Sequence, residues 1–177
     1  MNQHTGNWPG KTVTNAHGKY RYKDNNYIMV DIPGTYSLMA HSAEEEVARN
    51  FICFGNPDAV VVVCDATCLE RNLNLVLQTM EISSKVVVCV NLMDEAKKKN
   101  IHLDLKMLEK RLGVPVVSTV ARKKSSLQKL MNTLDGVVDG KFSASPLKVT
   151  YSEEIEEAVA MIQPLLQKKL KGKLNGR

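Results

Sequence analysis

Two apolar patterns alternate through the middle of the chain. Unbroken runs rich in β-branched residues, which are typical of strands buried on both faces, occur at 59–65, 85–91 and 114–119. Apolar residues at helix spacing follow each run and predict helices within 69–80, 104–113 and 127–134, the second of which is expected to begin at Asp104 and to end at Gly113. Strands that alternate with helices at this rhythm predict an α/β fold with a doubly wound sheet.

The pattern before residue 55 is different. Residues 18–22 and 27–32 read as extended strands, and the intervening KDNN has the turn chemistry of a hairpin, so we expect an antiparallel pair. Ser42, with Glu45 three residues later, forms a capping box that predicts a helix as far as Phe54.

The composition changes again after residue 138. Gly and Ser predict a linker over 139–147, and one helix with an apolar stripe and an internal Pro164 follows within 148–177. A single helix offers no partner for its own stripe. We therefore interpret 1–138 as the main domain and 148–177 as the start of a separate helical domain.

Composition narrows the class of protein. The 177 residues are 44% apolar with a net charge of +5, and no run approaches the roughly 18 apolar residues of a membrane helix, which predicts a soluble chain. The four cysteines lack a CxxC pair and share no metal-ligand spacing with the four histidines, which favours free thiols in a reducing cytosol. The few aromatic residues are scattered, so we expect no nucleic-acid partner.

Candidate chemistry is concentrated where the predicted strands end. In α/β sheets, ligands bind beyond the carboxyl ends of the strands, and three groups of residues follow such ends. These candidate nucleotide-binding residues are Asp31 and Gly34, then Asn91, Leu92, Met93 and Asp94, and finally Ser118, Thr119, Val120 and Ala121.

The order of these groups resembles the nucleotide site of small GTPases. Asp31 is suited to hold Mg²⁺ through water, and the N–H of Gly34 can approach a γ-phosphate because no side chain blocks it. Asp94 can accept from guanine N1–H and the exocyclic amine together, whereas Asn91 is expected to brace the loop and the purine. This pattern favours GTP over ATP.

The stretch GNWPGKT at 6–12 nearly spells a phosphate-binding loop. Such a loop needs four residues between its first Gly and the Gly-Lys-Ser/Thr, and only three separate Gly6 from Gly10. It should also leave a buried strand and open a helix, and the sequence predicts neither here. We therefore interpret the GKT as accidental.

Longer stretches resemble one family. GNWPGKTV, VDIPGTYSL, DATCLERNLNLVLQ and NLMDEAKKKNIHLDLKMLEKRLGVPVV are together similar to the cytosolic G domain of the bacterial ferrous iron transport protein B, over about residues 3–135. The resemblance implies a GTPase-type domain that binds GTP or GDP with Mg²⁺. It also implies a membrane portion of the same transporter as partner, at the cytoplasmic face of the inner membrane.

The resemblance assigns roles near both ends of the chain. It makes GNWPGKT the first switch loop, with Thr12 reaching Mg²⁺ and the γ-phosphate beside Asp31, and it makes 34–42 the second switch. Thr35 stands where Ras-type enzymes carry a water-orienting Gln, so any hydrolysis is expected to be slow. The tail YSEEIEEAV resembles the opening of the family's helical spacer.

The family's first strand, phosphate loop and first helix have no counterpart in this sequence. We expect a G domain truncated before the first switch, with a gap between 27–32 and 59–65 and with neither tight GTP binding nor much catalysis by this chain alone. Another chain that supplies the strand is then an expected partner. Two alternatives stay open: a non-catalytic remnant or split-gene interaction module, and another small GTPase.

Overall fold

The computed structural model of the protein describes residues 3–7, 14–142 and 145–169. The strands are β1 (Gln3–Asn7), β2 (Thr14–Tyr22), β3 (Asn25–Asp31), β4 (Val60–Asp65), β5 (Val86–Asn91) and β6 (Val116–Ser118). The helices are α1 (Ala43–Phe54), α2 (Leu69–Ile82), α3 (Met93–Lys98), α4 (Leu105–Leu112), α5 (Lys124–Val138) and α6 (Glu153–Lys169). The chain divides into two compact units, at 1–147 and 148–177.

The central core is a parallel sheet in the order β4-β5-β6. The α2 and α4 helices pack on one face, over Val62, Val88 and Val90, and α5 packs on the other, over Val87 and Val117. β5 is buried along both faces because it has a strand on each side and helices above and below. The predicted α/β class with helices on both faces of a parallel sheet is confirmed.

The first part of unit 1 is an antiparallel sheet in the order β1-β2-β3. β2 and β3 form the predicted hairpin, with Tyr20 opposite Tyr27. β1 includes the first residues of the GNWPGKT stretch, and the sequence analysis did not name this strand. It pairs antiparallel with β2, which differs from the parallel strand that precedes a phosphate loop.

A cleft of about 590 Å³ separates the two sheets. β3 lines one side and β4 the other, and the described strands of the two sheets are not hydrogen-bonded to each other. Val63 in β4 is 61% exposed here, although the apolar run predicted burial on both faces. Among the described strands β4 is hydrogen-bonded to β5 alone, so no second adjacent strand contributes side chains that cover Val63. The cleft is consistent with the predicted gap between 27–32 and 59–65.

The predicted helix ends are confirmed in two places. Ser42 accepts a hydrogen bond from the Glu45 N–H at 3.2 Å, and Asp104 accepts one from the Met107 N–H at 2.9 Å. One element was missed, because the sequence analysis named no helix between 85–91 and 104–113, and 93–98 forms the short helix α3.

The second unit contains α6, with Pro164 inside it as predicted. Its apolar residues are exposed to solvent, including Ile155, Val159 and Ile162. Among the helices in the described ranges, none has the length and hydrophobicity needed to cross a membrane.

Candidate functional site

Asn91 joins the ends of β5 and β6. Its Oδ1 atom accepts one hydrogen bond from the Thr119 hydroxyl and another from the Ala121 N–H, both at 3.1 Å. The two residues come from a loop about 30 positions further along the chain. The structure therefore brings together the predicted groups 91–94 and 118–121, with Asn91 bracing the second loop as expected.

Thr119 is buried and anchors this loop to β5 and to the start of α3. Its N–H donates to the Val90 carbonyl at 2.8 Å, and its carbonyl accepts from the Met93 N–H at 3.3 Å. Its hydroxyl also lies 3.2 Å from the Cys89 Sγ, whose pKa is raised by burial so that the thiol stays neutral. The loop position is thus set by backbone and side-chain bonds to β5.

Ser126, in the first turn of α5, closes the same loop from the other side. Its hydroxyl donates to the Val120 carbonyl at 2.8 Å and accepts from the Val120 N–H at 3.2 Å. Because protein groups hold its backbone at both ends, the loop has a defined conformation. This is preorganisation of the kind that a binding site needs.

Asp94 lies in the first turn of α3, at the rim of this loop. The turn is made by Leu92, whose left-handed backbone (φ 58°) is uncommon for a residue with a branched side chain. Asp94 is 20% exposed, and its Oδ2 atom accepts a hydrogen bond from Nη2 of Arg122. The carboxylate that the sequence predicts to recognise the base is thus reachable from solvent and is paired with a cation.

Asp65, which the sequence analysis did not single out, ends β4 next to Asn91 of β5. Its N–H donates to Asn72, and its carboxylate accepts from the Thr67 N–H at 2.7 Å. That backbone hydrogen bond lowers the pKa of Asp65. The sequence signal for Asp65 was its position as a carboxylate at the end of a predicted strand. In the structure, its hydrogen bond from Thr67 shapes the turn into α2.

Asp31 and Gly34 lie at the end of β3 and line the cleft. No described hydrogen bond joins them to Asn91 or to 118–121. A Cβ atom added to Gly34 would meet nothing within 4 Å, so the protein alone leaves open space there. The convergence of these two residues with the base side of the site stays a prediction, as does the role of Thr12, which lies outside the described residues.

The segment after Gly34 is attached to α2. The Leu38 N–H donates to the Gln78 side chain at 2.7 Å, and the Arg71 guanidinium lies 4.0 Å from the centre of the Tyr36 ring. The Thr35 hydroxyl is engaged in a local hydrogen bond, because it donates to the Ser37 carbonyl.

The described residues are compatible with a Mg²⁺ ion held mainly by a nucleotide. No group of three or more His, Cys, Asp or Glu side chains gathers within the described part of the chain. Magnesium typically uses one or two carboxylates together with phosphates and water, and Asp31 is an exposed carboxylate at the strand end. A site of this kind needs no cluster of protein ligands.

The model of the family "Ferrous iron transport protein B" matches residues 1–134. The chain is 36% identical over 170 residues to the Fe(2+) transport protein A/Fe(2+) transporter FeoB fusion protein of Porphyromonas gingivalis, covering 95% of this chain and 20% of that protein. It is 37% identical over 137 residues to the Fe(2+) transporter FeoB of Escherichia coli, covering 75% of this chain and 18% of that one. The chain thus spans about a fifth of the length of these relatives.

Solved structures agree with these relatives. The cytosolic domain of the T. maritima FeoB iron transporter in a GDP form superposes with a TM-score of 0.85 at 31% identity, covering 97% of this chain and 66% of that chain. The FeoB G-domain from Methanococcus jannaschii superposes with a TM-score of 0.68 at 42% identity, covering 70% and 79%.

Proposed function

This chain belongs to the ferrous iron transport protein B family, and we propose that its first unit is the guanine-nucleotide-binding domain of a ferrous iron transporter. The observation that carries this proposal is the fixed arrangement of Asn91, Thr119 and Ala121, which presents Asp94 at the rim of a preformed loop.

Base selectivity comes from Asp94. Its carboxylate can accept two N–H groups from the edge of guanine, whereas adenine offers no such pair. The wrong base leaves a half-buried acceptor unpaired, which costs about 1 to 3 kcal/mol. Residues 118–121 and the side chains of Leu92 and Met93 surround the same base in this proposal.

The phosphate side uses Asp31 and Gly34, together with Thr12. Bound Mg²⁺ would supply charge neutralisation for the phosphates, with Asp31 and Thr12 as its protein contacts. The N–H of Gly34 is free of side-chain obstruction and can donate to a γ-phosphate. Residues 34–42 then act as a switch whose attachment to α2, through Leu38 and Tyr36, changes with the nucleotide.

The remaining parts of the proposal concern the whole transporter. We place the G domain at 1–138, a linker at 139–147 and the start of a helical spacer at 148–177. The partner is a membrane portion of the same transporter, and the domain lies at the cytoplasmic face of the bacterial membrane. The exposed apolar residues of α6 fit this proposal, because a helix of a spacer domain packs its apolar residues against other helices.

The cleft between the sheets receives an additional strand in this proposal. Its walls carry edges of β3 and β4 that pair with no other described strand, and apolar side chains line it from α1 (Ala48, Ile52) and from α5 (Leu130, Leu134). A strand that fills it would be buried on both faces and therefore apolar throughout. Such a strand would also end beside Asp31, near the phosphates, so efficient hydrolysis requires it.

The proposal is tested by titrating the purified chain with fluorescent GDP and Mg²⁺. Asp94→Asn is expected to weaken GDP binding by about tenfold or more, because one acceptor becomes a donor facing guanine. Asp58→Asn makes the same charge change. Asp58 precedes the amino end of β4, away from the carboxyl ends of the strands where Asp94 lies, so this substitution should leave the affinity for GDP unchanged. Equal affinity for GDP and ADP, or equal effects of the two substitutions, contradicts the proposal.

One alternative is favoured by a specific observation. The open cleft suits a non-catalytic interaction module that docks on another chain through its strand edges. This alternative predicts no GDP binding by the chain at any concentration in the titration, with or without Mg²⁺.

A further inference from the structure

Arg122 contacts Asp94, the carboxylate that binds guanine in the proposed function. The Arg122 guanidinium donates through Nη2 to Oδ2 of Asp94, and its side chain is 68% exposed. It follows Ala121 directly, and the Ala121 N–H is held by Asn91. The backbone that carries Arg122 is therefore fixed at the rim of the base site.

The chemistry of the two partners is alike. A guanidinium presents planar N–H groups to a carboxylate, and the Watson–Crick edge of guanine presents N1–H and the exocyclic N–H in a similar parallel pair. One carboxylate accepts such a pair in its own plane. The observed Arg122 contact uses Oδ2, one of the two oxygens that such a guanine pair would need, so Arg122 and guanine compete for Asp94.

We propose that Arg122 is an affinity-setting residue that competes with guanine for Asp94. This inference rests on the proposed function. Guanine then binds only to the fraction of molecules in which the Arg122–Asp94 pair has opened. The observed dissociation constant then equals the intrinsic constant divided by that fraction.

The displaced state is accessible to Arg122. Most of its side chain is already in water, so opening the pair returns the guanidinium to solvent without burying a charge. An ion pair with one largely exposed partner contributes modestly, and the competition is correspondingly moderate. This suits a residue that tunes exchange of nucleotide rather than one that blocks it.

The test compares variants of the full chain in the GDP titration. Arg122→Ala is expected to tighten GDP binding by about three- to fivefold, the ratio that corresponds to an exposed ion pair. Lys123→Ala removes the same charge from the next position, and Lys123 forms no salt bridge within the described residues. Loss of a cation alone should weaken binding of the anionic nucleotide, so this control is expected to show unchanged or weaker binding.

Two further measurements make the interpretation specific. In the Asp94→Asn background, Arg122→Ala should no longer tighten binding, because the competitor has lost its target. In ligand-free protein, a double-mutant cycle on unfolding with the same two substitutions should show a non-zero coupling, which reports the pair itself.

The outcomes separate this inference from the proposed function. Wild type that binds GDP, with Arg122→Ala equal to or weaker than Lys123→Ala, overturns the competition and leaves the proposed function standing. Zero coupling in ligand-free protein also overturns it, whatever the affinities. Failure of every variant to bind GDP refutes the proposed function and the inference with it.

Discussion

Asp135 is a buried carboxylate that accepts three side-chain hydrogen bonds. It is only 3% exposed, and its carboxylate accepts hydrogen bonds from Lys23 at 2.8 Å, from Asn25 at 3.0 Å and from the Tyr27 hydroxyl. The hydrogen bond from Lys23, followed by those from Tyr27 and Asn25, lowers the pKa of Asp135. The residue therefore fastens the β2–β3 hairpin to α5.

Because of these contacts, the free energy of unfolding is expected to fall at alkaline pH. Desolvation, and then the hydrogen bond to Asp135, raise the pKa of Tyr27 to about 12. A folded-state pKa above the unfolded value of about 10 stabilises the fold below pH 10, and this contribution is lost as pH rises towards 12. Tyr27→Phe should cost about 1 kcal/mol at neutral pH and flatten the alkaline loss, measured by denaturant unfolding.

Tyr20→Phe is the matched control for that experiment. Tyr20 stacks on Tyr22, and its hydroxyl has no hydrogen bond among the described residues, so the ring is kept and nothing polar is lost. An alkaline unfolding profile that is the same in Tyr27→Phe and in wild type would argue against the Asp135 contact.

At the scale of elements, local signals set most helix ends and tertiary contacts set the rest. Ser42, Asp104 and Gly113 were readable because each acts within one turn of its own helix. The start of α3 was not readable. It depends on Leu92 in a left-handed conformation that is followed by Met93, whose N–H donates to Thr119, a partner far along the chain.

Gly113 gives an element-scale prediction. It ends α4 with φ +68°, and a Cβ atom there would lie 1.9 Å from the Ser145 carbonyl oxygen. Gly113→Ala is therefore expected to lower the free energy of unfolding by about 1 kcal/mol for the backbone and by about 1 to 3 kcal/mol more for the clash.

Gly140→Ala isolates the backbone part of that loss. Gly140 has nearly the same φ, +70°, but a Cβ atom would meet nothing within 4 Å. Denaturant unfolding should show a cost of about 1 kcal/mol at this position. Equal losses for the two substitutions would mean that the chain near Ser145 does not pack against the end of α4.

At the scale of the whole molecule, the pattern of apolar runs predicted the sheet and missed part of its environment. The run at β4 looks the same whether a strand edge is covered or open, so the exposure of Val63 could not be predicted from periodicity. Burial of a strand is a property of its neighbours. The cleft beside Val63 became interpretable only through the resemblance to a complete G domain.

The site shows the same division. The order of the strand-end residues was enough to predict that Asn91 and the 118–121 loop meet, because parallel strands share one edge. The Asp94–Arg122 contact was not predictable, since a basic residue in a loop is usually solvated. Asp31 and Gly34 depend on phosphate groups for their roles, and the sequence predicts those roles only through the family.

The most direct measurement of the central claim is the change in amide NMR signals when GDP and Mg²⁺ are added to the ¹⁵N-labelled chain. One shared nucleotide hollow predicts shifts for Asn91, Asp94 and Ala121 on the base side and for Gly34 on the phosphate side, with little response to ADP. Shifts that leave either side unaffected at saturating GDP, or that are equal for ADP, would contradict it.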